Sequence, residues 1–230
     1  MGGAAWNVRL NFAMIDGIQI KVCGLTSLVD ADFADACGVD YLGFNLYPKS
    51  PRYVSLAQFR SMAKRIPERH KVAVSVEPAP GELPAMRDAG FELFQVHFRH
   101  DTPVAVIEGW SREVGPKALW LAPKLPPDVE VPPAWLGLAR TVMLDTFDES
   151  LFGGTGRVGD WPKFRRHREG NPGTTWILSG GLGPENVGGA LAGSGARFVD
   201  VNSGIESAPG VKDREKLKAF VVAVHRAASR

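Results

Sequence analysis

Cysteine is scarce in this chain: Cys23 and Cys37 are its two thiols in 230 residues, too few for a disulfide framework. They also lack the CxxC spacing of a zinc or redox site, so reduced thiols are expected. Charge imbalance is missing as well. The formal net charge is +2, and lysines and arginines are interspersed with acids, which argues against a nucleic-acid partner. Long apolar runs are lacking too. A stretch such as "FVVAV" near the C-terminus falls far short of the roughly 20 residues a membrane helix needs. The opening "MGGAAWNVRLNFAMIDG" has no basic region followed by an apolar core, so no export signal is expected and the chain reads as cytoplasmic. Low-complexity segments and linkers are missing, and 44% hydrophobic residues with 23% charged match an ordinary globular composition. One domain over residues 17–230, after a short extension over 1–16, is the expected organisation.

What is present is a regular alternation of strand-like and helix-like stretches. Eight runs carry strand character: "IQIKVC" from Ile18, "DYLGFNL" from Asp40, "KVAVSVE" from Lys71, "ELFQVH" from Glu92, "KALWLA" from Lys117, "RTVMLD" from Arg140, "TTWILS" from Thr174 and "RFVDVN" from Arg197. Helical signals lie between them. Ser27 with Asp30 resembles a capping box, and Gly38 supplies the stop. Ser55 caps a stripe of Leu56, Phe59, Met62 and Ile66. Pro184 suits the first turn of a helix carrying Val187 and Leu191, and "KDREKLKAFVVAVHRA" closes the chain as an amphipathic helix. The proline-rich "APKLPPDVEVPPAW" leaves room for a short fifth helix. Strands without strict alternation suit burial on both faces, and helical crossovers make neighbours parallel. Eight such units predict an α/β fold, a (β/α)8 barrel, with an open doubly wound sheet as the structural alternative.

In such barrels chemistry gathers where strands end and the following loops begin. That rim selects Cys23, Asn45, Gln95, His97, Asp145, the segment from Ser179 to Gly181 and the segment from Asp200 to Gly204. Three late loops are rich in glycine: "GGTGRVGDW" with Gly154, Thr155 and Gly156, "SGGLGPENV" with Gly180 and Gly181, and "NSGIE" with Asn202, Ser203 and Gly204. Exposed backbone N–H groups there predict a phosphate cradle, as barrels form around strands seven and eight. Asp145 ends an apolar strand, where desolvation favours a proton donor. Alone, such an aspartate reads as a cap. Cys23 stands upstream of a helix start, which favours a thiolate. Alone, it reads as an inert buried thiol, as Cys37 does before Gly38. Taken together, an acid and a base on one rim suit a proton-transfer isomerisation. In "YPKSPRYV", Arg52 offers a planar fork for a carboxylate, whereas Lys49 points to water. His97 either binds substrate or stabilises its loop, and Asp200 either reaches a sugar hydroxyl or joins the packed interior.

With these pieces in hand, the chain resembles the phosphoribosylanthranilate isomerase family of tryptophan biosynthesis. The matching segments are "KVCGLT", "GVDYLGFNLYPKSPRYVS", "FQVH", "LDTF" followed by "GGTGRVGDW", "LSGGLGPENV" and "VDVNSGIESAPGVKD", in the family's order. The resemblance implies a cofactor-free Amadori rearrangement of a small phosphorylated substrate by a monomer or homodimer. It makes Asp145 the general acid, Cys23 the general base, Arg52 the residue facing the anthranilate, and the glycines the phosphate cradle. Departures from the family pattern are Ser75 and Glu77 in the third strand, Phe98 after His97, Asn202 in place of a serine, and Gly159 in place of a bulky apolar residue. They put pocket shape at issue, and Glu77 adds a carboxylate expected near an anionic substrate. A phosphosugar-binding barrel with little turnover is therefore the second reading. A metal-dependent sugar-phosphate epimerase is a third, disfavoured because His97 alone of five histidines falls on the predicted rim.

Overall fold

A computed structural model describes residues 17–145 and 160–229. Eight parallel strands close on themselves in chain order: β1 (Gln19–Val22), β2 (Tyr41–Asn45), β3 (His70–Val76), β4 (Leu93–Arg99), β5 (Leu119–Lys124), β6 (Thr141–Leu144), β7 (Thr175–Leu178) and β8 (Phe198–Val201). All eight expected strands are present. The seam pairs β1 with β8 through Gln19 opposite Phe198, Ile20 opposite Val199, Lys21 opposite Asp200 and Val22 opposite Val201. This closure rules out the open sheet.

Strand alternation builds two cores. Outward-facing residues such as Ile20, Val22, Phe44, Val96 and Phe98 pack under the helices, while Val72, Val74, Trp120, Ala122, Met143, Ile177 and Phe198 fill the barrel. Tyr41, Trp120 and Phe198 plug the end where the strands begin, with Tyr41 and Phe198 stacked at 4.8 Å between ring centroids. That plug leaves the opposite rim as the end open to chemistry.

The helices are α1 (Leu28–Ala36), α2 (Leu56–Met62), α3 (Glu82–Asp88), α4 (Val104–Val114), α5 (Pro133–Leu136), α6 (Trp161–Gly170), α7 (Val187–Ser194) and α8 (Arg214–Ala228). Ser27 and Ser55 cap α1 and α2 by accepting from the amides of Asp30 and Gln58. α5 is one turn long, as its prolines dictate. Cys37 ends α1, and burial pushes its thiol up to about 11. Two expectations need correction. The apolar stripe to Ile66 does not stay α-helical, because a 3-10 turn over Ala63–Arg65 follows α2. Pro184 lies in a turn ahead of α7: the Asn186 carboxamide accepts from the Gly183 amide at 2.9 Å and donates to Gly181 O at 2.8 Å, holding the chain in a loop until Val187. After β8, a small antiparallel hairpin of β9 (Glu206–Ala208) and β10 (Val211–Lys212) precedes α8.

Candidate active site

Cys23 follows β1 and donates its amide to Val201 O at 2.9 Å, so the seam between first and last strands fixes its backbone. Gly24 then turns the chain at φ +71, and a side chain there would lie 2.6 Å from Asn202 Oδ1 and 2.7 Å from Arg52 Cδ. Four residues separate Cys23 from the first residue of α1. The charge beside the thiol comes from elsewhere. Lys21 lies two residues back on the same inner face, and its ammonium acts on the thiol as a neighbouring charge. Burial outweighs the pull of Lys21 and Lys212, and Asp200 adds to the rise, so the Cys23 pKa lies above the ordinary thiol value. The expected thiolate is not produced by the helix start, and the neighbouring cations only limit the rise.

Lys21 is fully buried. Its Nζ donates to Asp200 Oδ1 at 2.7 Å, and Ser179 Oγ donates to Asp200 Oδ2 at 3.4 Å. Gly43 makes this possible, since a Cβ there would stand 2.9 Å from Lys21 Cε and 3.2 Å from the Cys23 Cα. Burial works to discharge the Lys21 ammonium, but Asp200 and Cys23 outweigh it and raise its pKa. Asp200 thus takes its place inside the barrel wall, paired with Lys21.

A second cluster stands beside the first. Arg52 grips Glu206 with Nε to Oε1 at 2.9 Å and Nη2 to Oε2 at 2.6 Å. Lys212 Nζ donates to Glu206 Oε1 and to Asn202 Oδ1, both at 2.9 Å. Burial opposes the Glu206 charge, yet its bonds to Arg52 and Lys212 prevail and hold the carboxyl below its usual range. Lys49 is exposed, as expected.

On β4, Gln95 and His97 face inward and meet through Nε2 to Nε2 at 2.7 Å. Burial, aided by the Lys21 charge, drops the His97 pKa to about 4, leaving a neutral imidazole at the rim. Asp145 follows β6, half-buried. Met143 faces the interior and Val142 the outer core, so the alternation directs Asp145 inward at the same end as Cys23. Gly180 and Gly181 turn the chain after β7. Gly204 lies against the preceding loop, where a Cβ would fall 2.0 Å from Leu182 O. Ser203 opens the 3-10 turn that ends at Ile205. Gly154, Thr155, Gly156 and Gly159 lie outside the described residues.

The departures in strands three and four resolve differently from expectation. Phe98 faces away from the barrel and packs edge-on against Trp110 and Trp135, so it does not shape the pocket. Ser75 also has the outward parity and is buried. Glu77 is exposed at φ +43, with Oε1 accepting from the Arg99 amide at 3.1 Å, which ties its carboxylate to the end of β4.

Sequence reasoning missed Lys21, Glu206 and Lys212. For Lys21 a signal existed: a lysine in an otherwise apolar buried strand, in step with Cys23, requires an anionic partner. For the other two no local pattern marked the pairing. Among the described residues, no three His, Cys, Asp or Glu side chains group as a metal site. The arrangement offers a buried thiol among cations, a carboxyl directed to the same mouth, a neutral imidazole, and an arginine held by a carboxylate.

The family model and the curated relatives point to one family. The family model described as N-(5'phosphoribosyl)anthranilate (PRA) isomerase matches residues 20–223. The N-(5'-phosphoribosyl)anthranilate isomerase of Cellvibrio japonicus is 37% identical over 214 residues, covering 92% of this chain and 95% of its own. Among solved structures, phosphoribosyl anthranilate isomerase from Thermus thermophilus superposes with a TM-score of 0.75 at 30% identity, over 93% of this chain and 100% of that one. A further phosphoribosyl anthranilate isomerase, in complex with reduced 1-(o-carboxyphenylamino)-1-deoxyribulose 5-phosphate, gives a TM-score of 0.68 at 28% identity over 89% and 96% of the two chains.

Proposed function

The chain belongs to the N-(5'-phosphoribosyl)anthranilate isomerase family and is an isomerase of tryptophan biosynthesis, in which we propose that Asp145 and Cys23 act as acid and base. The reaction is an intramolecular aldose-to-ketose rearrangement. Asp145 protonates the furanose ring oxygen, the bond from that oxygen to C1 breaks, and the anthranilate nitrogen forms a Schiff base with C1. The Cys23 thiolate removes the proton from C2, and the electron pair moves to give an enolamine. Tautomerisation yields 1-(2-carboxyphenylamino)-1-deoxyribulose 5-phosphate. Hydrogen is relocated within one molecule with no net change of oxidation state, so the scheme needs no external oxidant or reductant.

Arg52 faces the anthranilate carboxylate, with Glu206 holding the Nε and Nη2 edge of the guanidinium. His97 serves the sugar as a neutral partner, and Asp200 acts from the layer below through Lys21. The phosphate is assigned to the loops carrying Gly154, Thr155 and Gly156, Gly180 and Gly181, and Asn202, Ser203 and Gly204. The observation that carries the reading is the shared rim: Cys23 after β1 and Asp145 after β6 both continue the inward face of one closed barrel. No helix among the described residues is long and apolar enough to cross a membrane. We place the enzyme in the cytoplasm, as a monomer or homodimer.

The test follows loss of anthranilate-substrate fluorescence, with and without chelator. Turnover is expected in both conditions. Cys23→Ala and Asp145→Asn should each lose orders of magnitude in kcat, and Arg52→Ala should mainly raise KM. Substrate binding without turnover by the wild type would support a phosphosugar-binding barrel instead.

A further inference from the structure

A buried thiolate needs a neighbouring positive charge, because an anion removed from water loses its hydration and nothing else replaces it. The groups around Cys23 supply that charge in a countable way. Lys21, Lys212 and Arg52 all act on the thiol as cations, and Asp200 and Glu206 are the carboxylates that neutralise them. His97, which faces Lys21, is neutral. Three cations face these two carboxylates, although burial lowers the pKa of one of them, Lys212, and the thiol itself remains above its ordinary value.

The three cations are not equivalent. Arg52 and Lys212 share Glu206, and Lys212 also serves Asn202. Lys21 alone among them rises from the strand that carries Cys23, two residues away on the same inner face, with its head fully buried in the space Gly43 vacates. Its contact with Asp200 at 2.7 Å fixes that head beneath the sulfur.

We propose that Lys21 is a positioning residue of the reaction: clamped by Asp200, it supplies the fixed positive charge against which Cys23 gives up its proton. This rests on the assignment of Cys23 as the base. The proton leaves to solvent before turnover and no covalent step involves the lysine. Asp200 then tunes the thiol through the lysine it holds, in the opposite sense.

The experiment titrates the thiolate of Cys23 by its ultraviolet absorbance in unliganded, full-length protein, in a Cys37→Ala background so that one thiol is read. Lys21→Met should move the midpoint up by about one pH unit or more, a tenfold smaller thiolate fraction at neutral pH. It should lower kcat by about the same factor with little change in KM, and activity should recover as pH rises. Asp200→Asn, which keeps an oxygen for the Lys21 ammonium, should move the midpoint down. A merely structural lysine would lower the melting temperature and leave both midpoints in place. If Lys21→Met fails to fold, Asp200→Asn decides: an unmoved or raised midpoint there overturns the proposal, as does an unmoved midpoint in folded Lys21→Met. Cys23→Ala separates the two levels, since its retention of full turnover would remove the base assignment whatever the midpoints do.

Discussion

Replacing Glu206 by glutamine removes one charge and almost no volume, at a carboxylate whose side chain is 4% exposed against Arg52 at 12%. Glu206 Oε1 accepts from Arg52 Nε and Lys212 Nζ at 2.9 Å and from the Gly210 amide at 3.2 Å, while Oε2 accepts from Arg52 Nη2 at 2.6 Å. A glutamine can keep one of these oxygens. Its NH2 must then face a donor: placed at Oε2 it meets Arg52 Nη2, and placed at Oε1 it meets three donors at once. Breaking a buried ion pair by removing one partner costs about 3–5 kcal/mol, and retaining one acceptor argues for the lower end, about 3 kcal/mol. At roughly 2–4 °C per kcal/mol for a chain of this size, the melting temperature should fall by about 6–12 °C. The pH dependence has a definite sign. Because the folded-state carboxyl titrates below its unfolded value of roughly 4.3, its contribution is complete above that value and fades as pH falls through the folded one. The gap between wild type and Glu206→Gln should therefore be full at neutral pH and close in acid. Steady-state kinetics should show KM raised more than kcat is lowered, since Arg52 loses its fixed orientation. A melting temperature within 2 °C of wild type at neutral pH by the ~2–4 °C scale, together with an unchanged KM, would refute the clamp.

Gly204→Ala forces a methyl group to within 2.0 Å of Leu182 O and 3.0 Å of the Gly183 Cα, both backbone, so the loops after β7 and β8 must part. It should cost about 1–3 kcal/mol in thermal unfolding and weaken competitive inhibition by inorganic phosphate about tenfold, and unaltered phosphate inhibition would count against the cradle. Phe98→Ala empties a site between Trp110 and Trp135, with centroids at 5.5 and 5.2 Å. Denaturant unfolding should show a loss of about 3–5 kcal/mol, while KM per folded molecule stays within about twofold. A large KM change would return Phe98 to the pocket.

Much of this barrel was readable from local chemistry. Apolar β-rich runs marked all eight strands, Ser27 and Ser55 marked helix starts, and the prolines around α5 predicted that its helix is short. Strand alternation also encoded the outward aim of Phe98, since Phe94, Val96 and Phe98 alternate with Gln95 and His97, although its position beside a site histidine suggested a pocket role. Pro184 misled because its fixed φ suits a turn as well as a first helical residue, and the Asn186 carboxamide decided between them.

The sequence by itself determined the residues at the strand ends: a thiol, a carboxyl, an imidazole and glycine-rich loops recur there because a barrel rim collects whatever follows each strand. Only the tertiary structure decided which charge faces which. Lys21 and Asp200 are 179 residues apart, and Arg52 and Glu206 are 154 apart. Local propensity carries no information across such distances. The first pair exists because closing eight twisted strands sets one register between the first and the last, which brings a lysine and an aspartate together beneath the cysteine; the second forms where the loop after β2 meets the hairpin after β8.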